Sequence, residues 1–376
     1  MFYFDDIMGP MVRPTPNTRS IERDHIAHKH GRGSVNNASG RFEQEKRSPF
    51  DDGWDDGAPQ PVQTHVTEET PRSIVTTNRS PDISFEQSIN PYRGCEHGCS
   101  YCYARPTHAY MGLSPGLDFE RRLFAKPQAA ELLREELQSR SYVPKVIAIG
   151  TNTDPYQPIE RDYQITRSIL KVLAEFNHPV AIVTKSHLVT RDIDILAPMA
   201  RKNLAKVCLS VTTLDSKLSR AMEPRASTPL RRLSAITQLT KAGIPTGIMM
   251  APVIPALNEA EIESVLESCA EAGATSAGYI MLRLPLEVRH LFKDWIEALM
   301  PNRAAHIMRL VEDIRGGKAY ESEWGLRMRG RGAYAKMIKD RFHAASKRLG
   351  LNANRLDLDT SQFRCVAEKD GQLTLF

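Results

Sequence analysis

From Ser84 onward the chain alternates short apolar runs with longer stretches whose apolar positions recur every three to four residues. The runs Ser84–Ile89, Lys145–Gly150, Val180–Thr184, Lys206–Thr212, Thr246–Ala251 and Ser276–Leu282 are rich in branched residues and bounded by turn residues, which predicts strands. Between them, Ala129–Ser139, Tyr163–Phe176, Asp192–Lys202, Leu230–Ala242 and Glu259–Ala272 carry helical periodicity. Ile165, Ile169, Leu170, Val172 and Leu173 share one helix face, and Gly243 and Gly273 end two of the helices. A short helix around Thr107–Met111 and an extended piece at Phe119–Phe124 precede this series. Alternating strands and helices predict an α/β fold with a parallel sheet. Six such units are too few for a closed eight-fold barrel, so residues 71–285 are expected to form an open, partial (β/α)6 barrel.

The two ends read differently. Residues 1–70 hold many prolines, glycines and charges and few periodic apolar positions, which predicts an irregular arm, flexible or draped over a neighbouring surface. Within it, His25, His28 and His30 suit a solvated polar segment better than a metal site, since nothing nearby supplies further ligands. Lys29-His30-Gly31-Arg32-Gly33 is a weak candidate for nucleic-acid contact. Residues 286–376 turn helical at Glu287–Leu299, Ala304–Ile314 and Ala333–Leu349. The acidic start Met1-Phe2-Tyr3-Phe4-Asp5-Asp6 lacks the basic n-region and long apolar run of a signal peptide, and no apolar run of about 18 residues is present to span a membrane. Six cysteines do not form a disulfide framework, and reduced thiols point to the cytoplasm.

Three of those cysteines carry the chemistry. In Cys95-Glu96-His97-Gly98-Cys99-Ser100-Tyr101-Cys102 they stand at spacings of four and three residues, while Cys208, Cys269 and Cys365 are isolated. A closed zinc site takes four ligands, usually in paired C-x2-C form. Three thiolates can instead hold three corners of a [4Fe–4S] cluster and leave the fourth iron open. The alternative is a three-cysteine zinc site completed by His97 or a distant ligand. Gly94 and Gly98 would let the backbone pass close to a cluster and offer N–H groups to it.

This C-x3-C-x2-C run followed by Tyr103 resembles the signature of radical S-adenosylmethionine (SAM) enzymes. The resemblance implies that the open iron chelates the amino and carboxylate groups of SAM. It also implies an electron donor such as flavodoxin or ferredoxin, and a 5′-deoxyadenosyl radical that takes a hydrogen atom from substrate. Reactive groups in such sheets sit at the carboxyl ends of strands. Asp154 there is suited to the ammonium of SAM, and Lys185 and Ser210 to its carboxylate. The bland readings are a turn residue before Pro155 and a solvated loop lysine.

The stretch Gly94–Arg105 with Thr153–Pro158, Thr184–Ser186 and Met222–Arg225 is similar to the spore photoproduct lyase-like group, whose bacterial members are often labelled DNA-repair photolyases. The likeness covers about residues 84–285, and Gly31–Gly33 with Gly40–Glu43 is similar to one bacterial subgroup. It implies SAM-binding roles for Asp154, Lys185 and Ser210 and catalytic roles for Tyr101 and Tyr103. The lyase's hydrogen-donating cysteine has no counterpart in Ile147–Asp154. Cys208, on the same strand face as Ser210, is the substitute candidate, against the reading of a small core residue. Glu223 and Arg225 would read substrate or SAM ribose, or else pair to fix their loop.

A nucleic-acid substrate is suggested by the far end. Arg327, Arg329, Arg331, Lys336, Lys339, Arg341, Lys347, Arg348 and Arg355 face one acid, Asp340, with Tyr320, Trp324 and Tyr334 interspersed. A solvated basic helix face is the competing account. Gln372-Leu373-Thr374-Leu375-Phe376 resembles the peptide by which bacterial repair proteins bind the replication sliding clamp. Two functions of different class follow. One is a radical SAM enzyme on DNA, with RNA modification as its competitor. The other is a non-catalytic iron–sulfur protein that binds nucleic acid or senses redox state.

Overall fold

A computed structural model describes residues 32–43, 62–354 and 356–365. Six parallel strands are laid down in chain order: β1 Gln87–Ile89, β2 Ile147–Ile149, β3 Val180–Thr184, β4 Ala205–Ser210, β5 Thr246–Val253 and β6 Ser276–Met281. Each pairs with the next, and Val75–Thr77 adds an antiparallel edge beside β1. The sheet order runs from β6 to that edge strand without closing, so the expected open (β/α)6 architecture is present.

Burial alternates along the strands, and this alternation builds the site. Val180, Ile182, Val207, Leu209, Ile248 and Met250 are buried under the helices. Ala181, Val183, Lys206, Cys208, Met249 and Ala251 point the other way and are only half-buried. The concave face of the sheet is therefore open to a ligand. On the convex face lie α1 Ala129–Gln138, α2 Ile165–Glu175, α3 Ile193–Arg201, α4 Pro229–Lys241 and α5 Ile262–Glu271. In α2 the apolar stripe Ile165, Ile169, Leu170, Val172 and Leu173 is buried. Each such side chain contributes about 1.5–3 kcal/mol, and a charge at Leu173 would break the contact. Among the described residues no helix is long and apolar enough to cross a membrane.

Several elements depart from the pattern reading. The piece at Phe119–Phe124 is one helical turn, Asp118–Arg121, followed by the strand Arg122–Ala125. That strand pairs with His65–Glu68 and with Tyr92–Arg93 in a second sheet. The expected helix at Thr107–Met111 is two 3-10 turns. The short helix Ser216–Met222, capped by Asp215, was not anticipated.

The arm and the tail both pack. Residues 32–43 form no strand or helix, yet Arg32, Gly33 and Ser34 are buried against the cysteine loop. Arg32 donates to the carbonyls of Glu120 (2.8 Å) and Val62 (2.7 Å), so it is not available to nucleic acid. His25, His28, His30 and Gln372–Phe376 lie outside the described residues. Beyond the barrel come α6 Val288–Leu299, α7 Pro301–Asp313 and α8 Gly332–Arg348. Helix α8 packs on α5 through Arg341–Glu263 (2.6 Å) and Arg348–Glu267 (2.5 Å). Arg327 pairs with Asp82, Arg331 with Glu321, and Lys336 with Asp340. Much of the C-terminal basic series thus holds the fold together, which corrects its reading as one nucleic-acid patch.

Candidate active site

The loop after β1 carries the three cysteines. Its glycines take positive φ, +77° at Gly94 and +67° at Gly98, which side chains adopt only with strain. A Cβ on Gly98 would lie 2.7 Å from Glu120 Oε2, and one on Gly33 would lie 1.5 Å from the Gly98 carbonyl. The glycines therefore let the loop seat on the protein side. The loop N–H groups are also used there. Cys95 donates to Phe119 O (3.0 Å), Glu96 to Gln157 Oε1 (2.8 Å) and Ser100 to Met222 O (3.0 Å).

A buried ion pair underlies the loop. Arg105 and Glu120 are both fully buried at 2.5 Å, and Arg105 also donates to the Cys99 carbonyl. Glu120 accepts from Ser34 N (2.7 Å) and Gly33 N (2.9 Å), joining the arm to the site. On the far side, Glu96 accepts from Arg225 at 3.0 Å. The expected Glu223–Arg225 pair is not formed: Arg225 reaches Glu96 on the cysteine loop, and Glu223 pairs with Arg232.

The three thiols converge. Cys95 and Cys99 are buried, Cys102 is half-buried, and each lies within electrostatic reach of another. Burial raises all three pKa values, that of Cys99 to about 12, so without a metal they are neutral thiols. Iron would reverse this by stabilising thiolates. Among the described residues no three His, Cys, Asp or Glu side chains gather tightly enough for a single ion. A cube-shaped cluster spreads its thiolates more widely, and two buried sulfurs and one half-buried sulfur beside the concave face fit it. His97 Nδ1 faces Asp154 Oδ2 at 3.3 Å, too poorly aligned for a hydrogen bond.

Asp154 is placed at the end of β2, but its oxygens are occupied. Oδ1 accepts from Tyr156 N (2.9 Å) and Thr184 Oγ1 (2.6 Å), and Oδ2 from Lys185 N (2.8 Å). Burial opposes its charge, yet the nearby His97 and these donors outweigh it and lower the pKa to about 2. The carboxylate thus ties the end of β2 to the end of β3, and faces the cysteine loop only through the charge contact with His97. Thr153 and Gln157 also grip Gly94 O, at 2.6 and 3.4 Å.

Lys185 extends into the site, with its ammonium 5.8 Å from the centre of the Tyr101 ring. Burial works to lower its pKa, but neighbouring Cys99 and Glu223 outweigh that and raise it. Glu223 is buried and accepts from the Tyr101 hydroxyl, from Arg232 and from Thr212 Oγ1 (2.9 Å). It is therefore a strut, and Arg232 carries it to the Ser210 carbonyl at 2.9 Å. The two tyrosines separate: Tyr101 is buried, whereas Tyr103 is 37% exposed and donates to the Thr151 carbonyl. Arg283, just past β6, lies over the Tyr103 ring at 5.3 Å. Cys208 is half-buried on the concave face between Val183 and Gly247, and burial lifts its pKa to about 12.

Sequence reading missed Arg105, Glu120 and Arg283. The first two carried no periodic signal, because they meet through loop geometry. Arg283 had one, its place directly after a strand.

Residues 89–269 match the Radical SAM superfamily. An uncharacterized protein of Mycobacterium tuberculosis is 37% identical over 221 residues, 58% of this chain and 65% of that protein. The chain thus spans just under two thirds of the length of such curated relatives. An uncharacterized protein of Methanocaldococcus jannaschii is 27% identical over 57% of this chain and 76% of its own length. Among solved structures, spore photoproduct lyase complexed with dinucleoside spore photoproduct superposes with a TM-score of 0.54 at 17% identity, covering 76% of this chain and 80% of that one. That likeness is one of fold. Over residues 89–269 the chain is thus similar to the radical SAM domain, a domain of the kind that uses a [4Fe–4S] cluster and SAM.

Proposed function

We propose that this chain is an enzyme that abstracts hydrogen from nucleic acid, in the manner of a DNA-repair lyase. The observation that carries the reading is the meeting of three cysteines, two buried and one half-buried, with the concave sheet face bearing Cys208 and Ser210, beside Lys185 and Tyr103. Cys95, Cys99 and Cys102 would ligate the cluster. With SAM bound and an electron supplied by flavodoxin or ferredoxin, the cluster and SAM would together supply the 5′-deoxyadenosyl radical chemistry. Lys185 orients the SAM carboxylate as a point charge, and Ser210 offers a second donor beside it. Asp154 acts chiefly by fixing the Lys185 backbone at the end of β3, and secondarily as an acceptor for the SAM ammonium. Tyr101, tied to Glu223, walls the site, while Tyr103 forms its open rim. Cys208 carries a proton at neutral pH, which supports a role as hydrogen donor to a product radical.

The nucleic-acid substrate draws on the dinucleoside bound by the lyase of like fold. Free thiols and an oxygen-sensitive cluster support a cytoplasmic setting. Gln372–Phe376 is proposed as a clamp-binding tail. The test is anaerobic incubation with dithionite, SAM and either ultraviolet-irradiated DNA or RNA, followed by mass spectrometry. Formation of 5′-deoxyadenosine with a change in the DNA supports the reading. A change in RNA alone shifts the substrate, and no 5′-deoxyadenosine leaves an iron–sulfur binding protein.

A further inference from the structure

Among the described residues, buried guanidinium groups meet a carboxylate or several backbone carbonyls, and Arg283 departs from this pattern. Arg105 meets Glu120, Arg232 meets Glu223, Arg327 meets Asp82, and Arg315 donates to four backbone carbonyls. Arg283 is only 7% exposed, yet no carboxylate lies within ion-pairing reach among the described residues. One of its terminal nitrogens meets the Met328 sulfur at 3.6 Å, the other the Tyr320 hydroxyl at 3.4 Å, and Nε has no partner. A buried cation without a counter-charge is costly. Its persistence at the barrel mouth, over Tyr103, is accounted for by an anion that arrives with a ligand.

The surroundings indicate which anion. Tyr320 also lines a cleft of about 470 Å³, together with Leu284, Leu286, Arg289, His290 and Lys318. No carboxylate lines this cleft. Arg289 has one loose partner, Glu312 at 3.7 Å, and both are substantially exposed, so that pair is weak. At the rim Leu286 is 47% exposed and holds a φ of +53°, an unfavourable backbone for leucine. Arg283 thus stands between the Tyr103 ring and Tyr320, and Tyr320 shares the cleft with the cations Lys318 and Arg289.

We propose that this cleft binds the phosphodiester backbone of a single-stranded nucleic acid, with Arg283 holding the phosphate nearest the barrel mouth. A nucleic-acid strand supplies a charge at every step and a planar ring between charges. An acidic peptide supplies the charges without the rings. The proposal rests on the nucleic-acid reading above and adds where the strand lies, which is in the cleft and not along α8.

The test uses the full chain with its cluster and a fluorescein-labelled single-stranded DNA of mixed sequence, read by anisotropy across a salt series. Lys318→Glu with Arg289→Glu should weaken binding at least about tenfold. It should lower the salt slope by roughly 1.4, since each phosphate contact on a single strand adds about 0.7. Iron content and melting temperature serve as fold controls. Arg283→Gln should weaken binding too, and the surface double variant decides the matter if Arg283→Gln does not fold. Lys339→Glu with Lys347→Glu on α8 should have the smaller effect.

The cleft assignment is overturned by wild-type-like affinity in the double variant, by a larger effect of the α8 pair, by no binding to the wild type, or by polyglutamate competing better than DNA. If the wild type makes 5′-deoxyadenosine while the double variant binds normally, the cleft alone is wrong. If the strand binds in the cleft and no 5′-deoxyadenosine forms, the enzymatic reading alone is wrong.

Discussion

Glu120→Gln is the most informative single change outside the cofactor residues. The carboxylate receives Arg105 (2.5 Å) and Ser34 N (2.7 Å) on Oε1, and Gly33 N (2.9 Å) on Oε2. A carboxamide offers one oxygen and one NH2, so at least one buried donor would face another donor. Arg105 would also lose its counter-charge while remaining fully buried. Breaking a buried pair from one side costs about 3–5 kcal/mol. At about 2 °C per kcal/mol for a large domain, melting should fall by roughly 6–10 °C. The site should suffer along with stability, because Arg105 also fixes the Cys99 carbonyl and the arm at Gly33 lies against Gly98. Circular dichroism melting and iron content of anaerobically purified protein read both effects. Melting within about 1 °C of the parent, with full iron content, would refute the claim that this pair supports the cysteine loop.

Other expectations follow from the same geometry. Gly33→Ala, whose Cβ would fall 1.5 Å from the Gly98 carbonyl, should cut iron content without changing any charge, and an iron assay checks it. Lys185→Met keeps the stem and removes the ammonium. It should weaken SAM binding by roughly 10–100-fold, the worth of a charge-assisted hydrogen bond, as measured by calorimetry on the cluster-loaded protein. Burial lowers the pKa of His178 from 6.5 to about 4, so the unfolded chain takes up that proton first. Stability from this group is complete above about pH 6.5 and is lost as pH falls toward 4, by about 3 kcal/mol at most. Urea unfolding of His178→Gln should show a shallower acid decline, and an unchanged slope would contradict this.

Much of the architecture was legible because barrel strands and helices carry their own periodicities. The six strand runs sit where β1–β6 lie, and the α2 stripe is buried as its spacing implies. The convergence of the three cysteines was likewise local in sequence. What was not legible depends on contacts between distant loops. Glu120 meets Arg32–Ser34 across more than eighty positions, and no periodicity announces such a contact. Composition implied an irregular arm, flexible or draped, over residues 32–43, but not what holds it: backbone donors at Gly33 and Ser34 on one buried carboxylate. Charge counting misled in the same way at the C-terminal end. Arg327, Arg341 and Arg348 looked like a surface for polyanions, but their partners Asp82, Glu263 and Glu267 are far off in sequence. Arg283, solitary in the sequence, has neither an acid nor a backbone carbonyl among its partners in the described residues.

Electron–nuclear double resonance on the reduced protein, with SAM carrying a heavy nitrogen isotope in its amino group, addresses the cofactor site most directly. Coupling of that nitrogen to a cluster of about four irons, abolished in Cys95→Ala, Cys99→Ala or Cys102→Ala, is the predicted result. Zinc in place of iron, or an iron signal indifferent to SAM, would contradict the account.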